Sequence, residues 1–175
     1  QISVACYSIN GGPVLIAIPG TASWQHLLDA IRIADRVVAF GDYERLWLRK
    51  YGVEVEETYN DLMARCLYAS FPASLDGALQ ATRAPFKKDK KGNALSKQMA
   101  MPRDIDLETG KARWWHECED LVNYGTKEEP QLMTRFQRLT QYCMTDVSPL
   151  VWLDNFSPQL PPAEYKSYRA DRKAN

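Results

Sequence analysis

The chain lacks any apolar run approaching the 18 or so residues of a membrane-spanning helix, and it has no basic-then-apolar leader pattern. Those absences predict a soluble protein that does not leave the cell by the usual secretory route. Cysteine is scarce: Cys6, Cys66, Cys118 and Cys143 are scattered and form no Cys-x-x-Cys. Free thiols in a reducing cytoplasm fit this usage better than a disulfide framework or a zinc site. His116 and Cys118 could begin a metal site, but two ligands are not four. Neither sign of charge is in excess, with 22 Lys+Arg against 22 Asp+Glu. A globally basic nucleic-acid binder is therefore excluded, whereas a local patch is not. No internal repeat is visible.

What is present suits one globular domain: 175 residues, 45% hydrophobic and 25% charged. Ile2 to Ile9 and Val14 to Ile18 are β-branched, apolar runs flanking Asn10-Gly11-Gly12-Pro13, which predicts a hairpin. Ser23 is placed to cap a helix carrying Trp24, Leu27, Leu28 and Ile31. Val37 to Phe40 reads as a short buried strand, and Asp42 as the cap of a helix stopping near Gly52. The alternation of Val53-Glu54-Val55-Glu56 predicts a strand with one exposed face. Helices follow from about Asp61 and after Ser74. Strands thus gather in the first third of the chain, the rest being mainly helical, which predicts a layered α/β domain with helices on a mixed sheet.

Residues 83–93 bring Arg83, Lys87, Lys88, Lys90 and Lys91 close together, either as a solvated loop or as a patch for nucleic-acid phosphates. Trp114-Trp115 suits either base stacking or a core. Pro130 suits the first turn of a long helix with Leu132, Phe136, Leu139 and Cys143 as its buried stripe. Ser148-Pro149 is expected to end that helix and open another bearing Leu150, Leu153 and Phe156. On the face beside the stripe, Tyr142 and Asp146 are four residues apart, so a phenol and a carboxylate share one side. A phenol can orient a water, and a carboxylate can hold a hard cation. A charged segment from Glu164 to the end has the look of a helix unable to stand alone.

The order of Val37-Val38-Ala39-Phe40-Gly41-Asp42-Tyr43-Glu44-Arg45, Met63-Ala64-Arg65-Cys66-Leu67, Phe71-Pro72-Ala73-Ser74-Leu75-Asp76 and Lys87-Lys88-Asp89-Lys90-Lys91-Gly92 is followed by three further motifs. These are Trp114-Trp115, Tyr142-Cys143-Met144-Thr145-Asp146 and Leu160-Pro161-Pro162-Ala163-Glu164. Together they resemble the 3′–5′ exonuclease domain of bacteriophage-type family A DNA polymerases over essentially the whole chain. The resemblance implies a ribonuclease-H-like α/β fold over 1–160, with 161–175 opening the connection to a polymerase domain. It implies proofreading chemistry with two Mg²⁺ or Mn²⁺ ions about 4 Å apart acting on a single-stranded DNA 3′ end. Asp146 and Glu44 are the implied metal ligands and Tyr142 the residue orienting the attacking water. Tyr43-Glu44 fits the family's aromatic–acid pair, while Phe40 stands where that motif has Asn. Lys87, Lys88, Lys90 and Lys91 are the candidate DNA contacts.

The family's Asp-x-Glu on its first strand has no counterpart, since neither strand of the expected hairpin contains an acid. The hairpin matches the family's second and third strands, so the resemblance implies a chain that starts after the catalytic strand, with weak or no nuclease activity by itself. A metal-free scaffold or DNA-binding module beside the polymerase, and an unrelated α/β domain, are the alternatives.

Overall fold

The computed structural model describes residues 4–87, 89–115 and 119–174, the last three as backbone only, and shows a mixed α/β protein. In chain order come strands β1 (Ala5–Ser8) and β2 (Val14–Ala17), helix α1 (Ala22–Ile33), strand β3 (Val37–Ala39) and helix α2 (Tyr43–Lys50). Strand β4 (Tyr59–Asp61) leads into helices α3 (Leu62–Tyr68), α4 (Leu75–Ala81) and α5 (Lys90–Met99). Strands β5 (Pro102–Ile105), β6 (Ala112–Trp114), β7 (Leu121–Asn123) and β8 (Leu132–Thr134) precede helices α6 (Arg135–Phe156) and α7 (Pro162–Ala174). None of these helices is long and apolar enough to cross a membrane. The chain forms two compact units, Gln1–Trp24 with Lys88–Val147, and Gln25–Lys87 with Ser148–Asn175.

In the first unit, β1 and β2 pair antiparallel with Cys6 opposite Ile16. Asn10 and Gly11 take positive φ (52° and 71°), so the turn uses the residues that tolerate the left-handed region. Beyond it, β5 with β6 and β7 with β8 form two more antiparallel hairpins. These correct the expectation of a helical remainder. Their strands are three or four residues long and largely exposed, so they carry little of the apolar alternation that marks a half-buried strand. Local polar bonds set their turns: Asp106 Oδ1 accepts from the N–H groups of Glu108 and Thr109. Asn123 Oδ1 likewise accepts from Gly125 and Gln131.

The second unit is built around Leu62, Cys66, Ala78, Leu79 and Leu153, all at most 2% exposed, with Val38, Phe40, Phe71 and Leu150 packed against them. Here β3 and β4 pair in parallel, Val37 opposite Tyr59. Among the described residues the strands thus pair only two by two. Asp61 caps α3, a helix expected from about that residue, by accepting from Met63 and Ala64 N–H, and Ser74 caps α4 by accepting from Gly77 N–H, as expected. Asp42 holds the position before α2 but makes no side-chain cap, because its two oxygens take Arg45 Nε and Nη2 at 3.0 and 2.9 Å.

Residues 53–56 are not a strand. Val53 and Val55 are buried (2% and 3% exposed), so the alternation is real, but Thr58 and Tyr59 N–H both turn back onto the Val55 carbonyl and the strand begins at Tyr59 instead. Arg65 is 1% exposed and spreads its guanidinium over Asn60, the Asp154 carboxylate and the carbonyls of Asp154, Ser157 and Pro158. A cation thereby closes the C-terminal end of α6, where carbonyls lack helical partners. Helix α7 lies within this unit: Tyr165 Oη donates to the Tyr59 carbonyl, Tyr168 Oη to Asp61, and Arg169 pairs with Glu57.

Helix α6 departs from expectation at both ends. It begins at Arg135 rather than at Pro130, so Leu132 is a strand residue, 62% exposed, instead of part of a buried stripe. It also runs through Pro149 without dividing. Leu153, expected on a separate helix opened by Ser148-Pro149, is fully buried in the same one.

Candidate functional site

Helix α6 starts with a reciprocal cap. Thr134 N–H donates to Gln137 Oε1 at 2.8 Å while Gln137 N–H donates to Thr134 Oγ1 at 3.1 Å. Two turns on, this helix carries Tyr142, which is only 8% exposed, and Asp146, which is half-buried. The Tyr142 phenol lies beside the Asp146 carboxylate, as the i, i+4 spacing allows, within reach of a phenol–carboxylate hydrogen bond. Burial first, then that bond and the negative charge of Asp146, push the phenol well above its ordinary pKa. Tyr142 therefore keeps its proton, which is committed to Asp146, and only its lone pairs can receive a hydrogen from water.

The ring of Tyr142 is seated on α5. A Cβ built on Gly92 would stand 2.3 Å from Tyr142 Cδ2, so the ring occupies the space a side chain would need. Asp89, one residue before α5, accepts from Gly92 N–H at 2.9 Å and pairs with Arg138 of α6. Burial pushes the Asp89 carboxyl up. The Gly92 N–H, the Arg138 guanidinium and the Lys91 N–H outweigh it, and the carboxyl lies below the usual aspartate range. Arg138 also lies over the Tyr124 ring, 5.9 Å from its centre. On this side of α6 an open cleft of about 450 Å³ is lined by Tyr124, Gln131, Arg138, Gln141, Met144 and Thr145.

Glu44 belongs to the second unit, near the start of α2. As a residue it is exposed. Burial of its carboxyl end raises its pKa, its own backbone N–H lowers it, and the neighbouring Asp61 charge raises it again. Solvent access screens that shift. Asp61 itself is 4% exposed and saturated: it accepts from Gly41, Met63 and Ala64 N–H and from Tyr168 Oη. Tyr59 Oη closes the same corner on the Gly41 carbonyl at 2.5 Å. The candidate set is thus Tyr142 and Asp146 together in one unit and Glu44 beside Asp61 in the other.

Of the lysines, Lys87 is exposed at the end of a segment of the second unit, while Lys90 and Lys91 are exposed in the first turn of α5. Lys88 lies outside the described residues, as do His116 and Cys118. Trp114 and Trp115 are both half-buried, and the Trp115 face is met by Arg135 at 4.8 Å and Arg103 at 5.6 Å. Guanidinium groups, rather than open solvent, therefore cover that ring.

Sequence reasoning missed Gly92, Asp89, Arg138 and Asp61 as parts of these arrangements. Only the Asp89-x-x-Gly92 spacing, an N-cap ahead of a helix, was a local signal. Compared with protein-family profiles, curated proteins and solved structures, the chain matches none.

Two divalent cations and a phosphate need several carboxylates converging on one point. Among the described residues, no three His, Cys, Asp or Glu side chains gather so. Asp146 is engaged by the Tyr142 hydroxyl, and Asp61 by three N–H groups and a phenol. Among the described residues, the side chains within either unit do not fit a two-metal centre.

Proposed function

We propose that this chain is the exonuclease-type region of a bacteriophage-type family A DNA polymerase, ribonuclease-H-like in fold, that contacts a single-stranded DNA 3′ end and by itself hydrolyses it weakly or not at all. The order of its sequence motifs supports this reading. So does one observation above the others: Tyr142, the phenol the resemblance singles out, is buried with its ring seated on Gly92 and its hydroxyl beside Asp146.

In this reading Tyr142 holds a water through its hydroxyl oxygen, and Asp146 keeps the phenol oriented. Lys90 and Lys91 attract phosphates without reading sequence. The sequence has no counterpart of the family's Asp-x-Glu pair, which is why little hydrolysis is expected and DNA contact is the function proposed. The polymerase domain of the same parent chain is the expected partner, in the cytoplasm of a bacterial host.

The test is to incubate the chain with Mn²⁺ and 3′-labelled single-stranded DNA, and to measure DNA binding in parallel. Salt-sensitive binding with little trimming is expected. Efficient trimming that Asp146→Ala abolishes would overturn the weak-hydrolysis reading, and no detectable binding at low salt would overturn the DNA-facing one.

A further inference from the structure

Cys6 lies in the middle of β1 and Cys143 on α6, the residue after Tyr142, both within the first unit and both half-buried. The Cys6 sulfur is 3.9 Å from the carbonyl oxygen of Thr140. Thr140 is three residues before Cys143 and so on the same side of the helix. Cys143 is also the neighbour that most strongly raises the Cys6 thiol, as a side chain close to it does. No disulfide is formed by either, nor by the buried Cys66. Two cysteines 137 residues apart are thus brought to one strand–helix contact, with part of each open to solvent.

We propose that Cys6 and Cys143 are a reversible disulfide site that staples β1 to α6. The oxidant is a low-molecular-weight disulfide of the glutathione class. One thiolate attacks a sulfur of that disulfide, forming a mixed disulfide and expelling one small thiolate. The second protein thiol then loses its proton and attacks the mixed disulfide, forming the Cys6–Cys143 bond and expelling the second small thiolate. Two electrons pass from the protein pair to the small disulfide, and the two protons end on the two small thiols. Hydrogen bonding to Cys143, burial and the charge of Cys143 raise the Cys6 thiol, and the exchange opens from whichever thiol of the pair is ionised. Because the closed loop is long, the staple should stabilise the folded chain.

The experiment uses the full chain, equilibrated with glutathione disulfide, alkylated, digested without reduction and mapped by mass spectrometry. The expected product is a Cys6 peptide joined to a Cys143 peptide, two hydrogens lighter than the separate thiols. It should be accompanied by a rise in Tm that dithiothreitol reverses, that Cys6→Ser removes and that Cys66→Ser leaves in place. Recovery of Cys6 and Cys143 only as mixed disulfides, or joined to Cys118 or to a second molecule, would overturn the proposal. So would a Tm that does not move although the bond has formed. Should Cys6→Ser fail to fold, peptide mapping of the unaltered chain still decides the pairing.

Discussion

At Gly92 two rules about helices pull in opposite directions. A glycine inside a helix is worse than alanine by about 1 kcal/mol, so Gly92→Ala would ordinarily stabilise α5. Here the added methyl would stand 2.3, 2.6 and 2.8 Å from Cδ2, Cγ and Cβ of Tyr142, at the root of the ring rather than at a flexible tip. Overpacking of that kind costs about 1–3 kcal/mol, so the clash should win. Gly92→Ala is therefore expected to lower the urea midpoint and to change the near-ultraviolet circular dichroism of the tyrosine. A higher midpoint would show that the ring yields freely. Local residue chemistry was legible in the sequence, as the cap at Ser74 shows, because donor and acceptor lie three positions apart. The seat of Tyr142 on Gly92 was not, since nothing in a lysine-rich run announces a partner on a distant helix. The burial of Arg45 and Arg65 was hidden likewise, because Glu56 is 11 residues from Arg45 and the Pro158 carbonyl 93 from Arg65.

Among the elements, α5 is the most informative. Its cap Asp89 has a lower pKa in the folded chain than in the unfolded one, so the folded form takes up a proton less readily. The stability it contributes is complete above the unfolded aspartate value of about 3.9 and is lost as pH falls through the lower folded value. Unfolding free energy measured from pH 7 down to pH 2 should fall over that acid window, and Asp89→Asn should flatten that part of the curve. A profile identical in the variant would remove Asp89 from the account. The same helix carries Lys90 and Lys91 in its first turn, where positive charge opposes the helix dipole. The double change Lys90→Glu and Lys91→Glu should therefore keep or slightly raise Tm while weakening single-stranded DNA binding and reducing its salt dependence. Unchanged binding would free these residues from any phosphate role. The hairpins of 102–134 were illegible for a physical reason: their strands are short and exposed, and polar bonds in the turns specify them. The start of α6 was misplaced because Pro130 and Leu132 suit a helix, whereas Thr134-x-x-Gln137, the capping pair actually used, was the better signal.

For the molecule as a whole, the path of the chain matters more than any one element. Each compact unit is made from two separated segments, and α1 and α6 are each continuous across the division. No single cut in the chain can release an intact unit. Leu107, in the β5–β6 turn, is 97% exposed, which makes that turn a natural place to open the backbone. Cutting there would leave one fragment carrying 1–24 and 88–107 of the first unit with 25–87 of the second, and another carrying 108–147 and 148–175, their remaining parts. Neither fragment owns a full set of packing partners, so each alone should be largely unfolded by circular dichroism, whereas mixing the two should restore helicity. Independent folding of either half would contradict the division. The interleaved path thus makes this chain a natural split protein, two halves that become ordered only in each other's company.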